Sequence, residues 1–164
     1  MSEWRIEQVA DDDEAALGEV RVLFAEYHEW LGQVVCSARL AEEIASLPGP
    51  YASPSGRLWL ARSVSGEPVG CIGLRRHEDD RAEIKRLSVR PSERGSGLGS
   101  ALVAHAIEAA RAIGYREALI TTLPEMMPVA ASMYARLGFE QTEAFFDHSH
   151  VGEDVPMSYL RLAL

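Results

Sequence analysis

The chain has 164 residues, 47% of them apolar and 25% charged, with a formal net charge of −9 at neutral pH. That length suits one folded unit, 1–164, with a full core. No apolar run approaches the ~20 residues that cross a bilayer, and the polar start Met1-Ser2-Glu3-Trp4-Arg5 has no leader-like apolar stretch, so a cytoplasmic protein without a membrane partner is expected. The acidic balance speaks against nucleic acid, which needs clustered Lys and Arg, and leans toward a cationic or amine-bearing substrate.

Trp4 to Val9 reads as a short strand. Ala16, Val20, Leu23, Tyr27 and Leu31 recur at three- and four-residue steps, which predicts an amphipathic helix from Ala15 to Leu31. The acidic run Asp11-Asp12-Asp13-Glu14 suits its N-terminus. A second helix is expected from Ala38 to Leu47, stopped by Pro48. The Pro- and Gly-rich stretch 47–56 is a loop that parts this helical third from a strand-rich remainder.

Leu58 to Val64, the turn Ser65-Gly66-Glu67 and Pro68 to Arg75 read as a hairpin. After the polar turn His77-Glu78-Asp79-Asp80 comes a strand from Ala82 to Val89 with a fault in its phase. Ile84 has even parity while Leu87 and Val89 have odd, so a regular strand cannot turn all three to one face. A bulge around Lys85 and Arg86 would repair the phase, and bulges often lie beside active sites. A strand buried on both faces is the alternative.

The loop Arg94-Gly95-Ser96-Gly97-Leu98-Gly99 then opens a helix with Leu98, Leu102, Ala106, Ala109 and Ile113 along one stripe, and Gly114 as its stop. Ala118 to Thr122 is a strand, and Pro128 to Leu137 a helix with Gly138 just past its end. Phe139 to Ala144 and Met157 to Leu162 are the closing strands. The order is β-α-α-β-β-β-α-β-α-β-β. Hairpins come first, and the β-α-β crossover then makes a parallel pair. The expected fold is α/β (α+β), a mixed, mostly antiparallel sheet flanked by helices.

A glycine loop running from a strand into a helix is suited to holding an anion. Loop N–H groups and the unsatisfied first N–H groups of the helix converge there, and the helix dipole favours negative charge. Gly95, Gly97 and Gly99 let the backbone approach a pyrophosphate, and Arg94 adds a cation at the entrance. A Walker A loop would need Lys then Ser or Thr after its second glycine, which is missing. The dinucleotide fingerprint G-x-G-x-x-G fails as well, because the third glycine comes one position early and antiparallel strands precede it.

The pattern R-x-x-G-x-G after a strand ending in Val-x-Pro resembles the acyl-CoA loop of the GNAT superfamily of N-acetyltransferases. Glu83-Ile84-Lys85-Arg86-Leu87-Ser88-Val89-Arg90-Pro91 is similar to that superfamily's bulged central strand. Tyr134-Ala135-Arg136-Leu137-Gly138-Phe139-Glu140 is similar to its later helix-to-strand segment, and the likeness covers roughly residues 57 to 162. It implies acetyl-CoA as co-substrate, with the pantetheine arm along Leu87, Ser88 and Val89. The pyrophosphate would sit on Arg94 and the amides of Gly95, Ser96, Gly97, Leu98, Gly99 and Ser100. It implies Tyr134 as general acid toward the departing sulfur and Glu83 as the base that takes the amine proton. The acceptor would be a small-molecule or peptide amine, and a homodimer is left open. Two rivals stay beside this reading: a non-catalytic acyl-CoA sensor of the same fold, and a nucleotide-binding regulatory protein.

Of the five histidines, His148 and His150 stand two apart in a polar loop. With no third ligand at metal-like spacing they suggest no metal, but serve as candidate substrate contacts or alternative bases. His28, His77 and His105 read as structural or solvent-facing. Phe145 and Phe146 are candidates for the acceptor pocket. Cys36 and Cys71 form no C-x-x-C pair and read as ordinary thiols.

Overall fold

A computed structural model of the chain describes residues 3–31, 37–125, 127–145 and 157–164. The elements in chain order are β1 (Trp4–Gln8), α1 (Glu14–Leu31), α2 (Ser37–Ala45), β2 (Arg57–Ser63), β3 (Pro68–Glu78), β4 (Arg81–Val89), α3 (Leu98–Ile113), β5 (Glu117–Thr122), α4 (Pro128–Arg136), β6 (Glu140–Gln141) and β7 (Ser158–Ala163). The strands join in one sheet ordered β1-β2-β3-β4-β5-β7-β6. Its pairs are antiparallel except β4 with β5, which the crossover through α3 makes parallel. The expected mixed, mostly antiparallel architecture is the one observed.

Each face of the sheet has its own apolar core. On one, Ile72, Leu74, Ala82 and Ile84 pack with Leu98, Leu102 and Ala106 of α3 and with Met133 and Tyr134 of α4. On the other, Leu58, Leu60 and Cys71 meet Leu17, Val20, Leu23 and Phe24 of α1 and the ring of Tyr51. A glycine keeps each layer close. A Cβ on Gly73 would come within 2.6 Å of the Tyr51 ring, and one on Gly70 within 2.9 Å of the Ser88 carbonyl and 3.2 Å of Leu98.

The phase fault in β4 is a bulge. Gly73 pairs with Lys85 and Cys71 with Ser88, so Ile72 alone faces both Arg86 and Leu87. Arg86 takes a left-handed backbone, φ 62°, alone in this among the described non-glycine residues. The extra residue inverts the alternation. Ala82 and Ile84 before it, and Leu87 and Val89 after it, all reach the core beneath α3. The alternative of a regular strand buried on both faces therefore fails, and alternation leaves Glu83 and Lys85 on the opposite face, toward α1 and α2.

Two boundaries differ from expectation by three residues, the others by two at most. β3 runs on to Glu78, because Arg76 still pairs with Ala82 and Glu78 with Arg81. β6 is only Glu140–Gln141 rather than Phe139 to Ala144. Phe139 belongs to the helix exit: its N–H returns to the Tyr134 carbonyl at 3.1 Å, and its ring packs edge-on to the Tyr134 ring.

Gly70 is thus what lets α3 lie against the sheet. Gly70→Ala is expected to lower stability by about 1–3 kcal/mol through overpacking. Gly18→Ala, in α1 with nothing within 4 Å of the added methyl, is expected to raise it by up to about 1 kcal/mol. Urea denaturation of the two variants checks both signs.

Candidate active site

The glycine loop is open where an anion would approach. Gly95 and Gly97 have φ 81° and 88°, and a Cβ on either would meet nothing within 4 Å. Gly97 is the N-cap of α3 and offers no side-chain cap, so the amides of the first turn keep the vacancy that every helix start leaves. Arg94 is exposed and has no ion pair among the described residues. Ser96 departs from the expectation: its N–H and its hydroxyl both turn back to the Glu93 carbonyl, at 3.2 and 2.6 Å. That amide is committed within the chain. A left-handed Gly97 also means that any side chain there strains the backbone besides obstructing the loop.

Beside the loop the sheet comes apart. β4 and β5 pair only from Arg81↔Glu117 to Glu83↔Leu119. Past that point β4 continues to Val89, held by β3 on one edge alone, while β5 continues on β7 to Thr122. Among the described residues the β5-facing edge of β4 from Lys85 to Val89 is therefore an unpaired strand edge, a template for an extended ligand. Leu87, Ser88 and Val89 lie along it. A Cβ on Gly99 would sit 3.9 Å from Val89 and 3.7 Å from Met133, so the end of β4, the start of α3 and α4 close around one crevice.

Glu83 stands at the last paired position, where the splay begins, and is 5% exposed. Its carboxylate lies 3.9 Å from the Lys85 ammonium, beyond hydrogen-bond reach. Burial pulls the Lys85 pKa down against the opposing pull of Glu83. Tyr134 is buried in the core of α3 and α4, with the Phe139 ring 5.9 Å away. Burial, with a smaller push from Tyr27 of α1, holds its hydroxyl well above the usual phenol range, so the group stays protonated at neutral pH.

The bulge is clamped from α2. Arg86 Nε donates to Glu43 at 2.6 Å, and the Tyr51 hydroxyl donates to the same carboxylate at 3.0 Å. Burial works against the Arg86 charge, yet Tyr51 and Glu43 together hold its pKa above the usual value. From below, the buried Cys71 thiol reaches the Arg86 carbonyl at 3.7 Å, and burial pushes that thiol up, out of reach of ionisation. Glu43, Tyr51 and Arg75 were not singled out by sequence. In sequence Glu43 is one of two adjacent glutamates in a short helix, and nothing local tells it from Glu42.

The remaining candidates divide. His77 and Phe145 come together, ring centroids 5.3 Å apart, and Phe145 packs edge-on to Tyr159 at 5.1 Å. His105 bonds its own helix at Ala101, and His28 has a buried, unpartnered Nδ1. Cys36, Phe146, His148 and His150 lie outside the described residues. Among the described residues no three His, Cys, Asp or Glu side chains gather as a metal site, and no helix is long and apolar enough to cross a membrane.

Comparison with known proteins agrees with this geometry. Residues 17–139 match the model of the acetyltransferase (GNAT) family. An N-acetyltransferase of Schizosaccharomyces pombe is 30% identical over 149 residues, 90% of this chain and 88% of its own. Longer relatives are matched only in part: the chain spans 49% of a rat N-acetyltransferase family 8 member and 40% of a zebrafish N-acetylaspartate synthetase. Among solved structures, an acetyltransferase of Streptococcus agalactiae superposes with a TM-score of 0.77 at 21% identity, over 98% of both chains. An acetyltransferase of Salmonella typhimurium, solved with its cofactor acetyl-CoA, gives 0.69 at 18%, over 99% of this chain and 94% of that one.

The clamp has a pH signature. Burial alone would raise the Glu43 carboxyl, but the Arg86 charge and hydrogen bond outweigh it and hold the carboxyl below its ordinary 4.5. A carboxyl depressed in the fold stabilises above its unfolded value, and that contribution is lost as pH falls through the folded one. Glu43→Gln leaves Arg86 buried without its anion and should cost about 3 kcal/mol at pH 7. In denaturant titrations across pH, the gap between wild type and variant should narrow below about pH 4.5.

Proposed function

This chain belongs to the GNAT family of acetyltransferases and is an acetyl-CoA-dependent acyltransferase, and we propose that it passes the acetyl group to a primary amine of a small molecule or peptide by direct attack within a ternary complex. One observation carries the reading. The unpaired edge of β4 leads from Glu83, at the start of the splay, straight to the two left-handed glycines at the head of α3. A long ligand with an anionic end and a reactive end fits that track.

The residues present suit the cofactor. Arg94 and the free amides of Gly95, Gly97, Leu98, Gly99 and Ser100 would hold the pyrophosphate, with Ser96 contributing its place in the turn rather than its amide. Backbone groups of Leu87, Ser88 and Val89 would pair with the pantetheine arm as a further strand would. Acetyl-CoA brings the thioester carbonyl that the amine attacks. Glu83, buried and without a hydrogen bond among the described residues, takes the proton from the attacking nitrogen. Tyr134, kept protonated by burial, gives its own proton to the sulfur as the carbon–sulfur bond breaks. The N-acetyl names of the relatives support an amine acceptor. A sensor without catalysis would need neither Glu83 nor Tyr134.

Release of the CoA thiol from acetyl-CoA, measured across a panel of amines, tests the whole reading. Tyr134→Phe keeps the ring and its packing, and should lower kcat by ~10²-fold or more while the KM for acetyl-CoA hardly moves. Unchanged kcat, with acetyl transfer confirmed as the slow step, returns Tyr134 to a packing role.

Glu83→Gln keeps size and most hydrogen bonding, so it separates proton transfer from positioning. Its defect should be largest near neutral pH and shrink as pH rises, because solution then supplies more neutral amine. The effect should be greater for an alkyl amine, with a pKa of about 10.4, than for an α-amine near 8. A defect that is the same at every pH and for both amines would assign the base to another group, with His148 and His150 next to be replaced.

A further inference from the structure

The sheet face that carries Glu83 holds more positive charge than its own anions answer. Three cations meet there. Arg86 has Glu43 at 2.6 Å, and Lys85 has Glu83 at 3.9 Å. The third, Arg75, sits directly opposite Glu83 in the β3–β4 ladder and close enough to Lys85 and Tyr51 to act on both electrostatically. Arg75 has no ion pair among the described residues, and its Nε is buried with no acceptor. A chain with 25 acidic residues and a net charge of −9 has carboxylates to spare. Leaving its Nε without an acceptor strands a buried donor and forfeits a charged hydrogen bond.

Across the splay a second polar group is unanswered. Ala118 and Ile120 of β5 reach the α3 core, so alternation turns Thr121 to the Glu83 face, and its hydroxyl is buried without a partner. Tyr159 is the register partner of Thr121, and Phe145 bridges from Tyr159 to His77. The Glu83 face thus carries a carboxylate, a guanidinium with no ion pair among the described residues opposite it, and beyond them the rings of His77, Phe145 and Tyr159.

We propose that the acceptor is a free amino acid, its carboxylate bound by Arg75 while its amine is presented to Glu83. The planar fork of a guanidinium matches a carboxylate with two parallel hydrogen bonds. A peptide N-terminus lacks that carboxylate next to its amine, and a simple alkyl amine lacks it altogether. This inference rests on reading the Glu83 side of the splay as the acceptor site.

The test pairs each α-amino acid, β-alanine and 4-aminobutyrate with its own carboxamide, at saturating acetyl-CoA, reading thiol release. At least one acid should exceed its amide in kcat/KM by about tenfold or more, the range of a charged hydrogen bond. Arg75→Gln should raise the KM for that acid by a similar factor, leave kcat nearly unchanged and erase the preference over the amide. Arg75→Lys should recover part of it, and both variants should bind acetyl-CoA as the wild type does, which reports an intact fold. Amides acetylated as well as acids, turnover of O-phosphoethanolamine but of no amino acid, or an Arg75→Gln defect equal for acid and amide would each overturn the inference and leave amine acetylation standing. Failure of every amine in both series, with acetyl-CoA still bound, would overturn the inference, and failure of the wider amine panel as well would overturn the proposed function.

Discussion

Much of this molecule depends on one left-handed residue that is not glycine. Holding Arg86 at φ 62° costs on the order of 1–3 kcal/mol for a side chain of its kind, and the surroundings are arranged to impose it. Glu43 of α2 holds its side chain, itself held by the Tyr51 hydroxyl, and the Cys71 thiol holds its carbonyl from β3. In return the strand changes phase at that point. Without the inversion Leu87 and Val89 would face α1, and the end of β4 would have no apolar reason to lie beneath α3. The glycine loop is four residues beyond Arg90, so its position follows from the same turn of the backbone.

The inversion also divides the labour of the site between two faces. Before the bulge, Glu83 and Lys85 lie on the α1 and α2 side, where an acceptor can be met by charge. After it, Leu87 and Val89 anchor the strand to the α3 and α4 core, while its free edge stays available to an extended ligand. The parallel pair with β5 ends at Glu83↔Leu119, so the residue proposed as base stands where both sides open onto one another. Tyr134, proposed as the acid, belongs to the opposite core, that of α3 and α4.

What the sequence disclosed, it disclosed through local pattern. The parity of Ile84 against Leu87 and Val89 foretold the bulge, since burial on one face is a period-two rule with one way to break. The glycine spacing marked the turn into α3 for a similar reason: Gly95 and Gly97 both take a left-handed backbone, which glycine adopts without a steric penalty. The inward turn of Ser96 was not legible, because it depends on the short turn Pro91–Glu93, whose last carbonyl accepts from both the serine N–H and its hydroxyl. Glu43, Tyr51 and Arg75 were illegible for another reason. Their meaning lies in contacts across 8 to 43 residues of chain, and no periodicity distinguishes a glutamate that meets a buried arginine from one that meets water.

The ion pairs that brace β4 are weak arguments for stability and good ones for geometry. A buried pair often does no better than an apolar pair of equal volume, because desolvation offsets the Coulomb gain. Here two arginines four positions apart, Arg86 in the strand and Arg90 just past its end, are each tied to a different helix: Arg86 by a largely buried pair to Glu43 of α2, and Arg90 by a more exposed one to Glu26 of α1 at 2.6 Å. Apolar replacements could fill the same volume, but they would slide. A directed hydrogen bond from each guanidinium sets the height of α1 and α2 over the strand, and with it the distance between Glu83 and whatever those helices bring to it. The proposed acceptor side is thereby registered to the strand proposed to orient the cofactor, and it is that register, more than the energy of either pair, that the arginines supply.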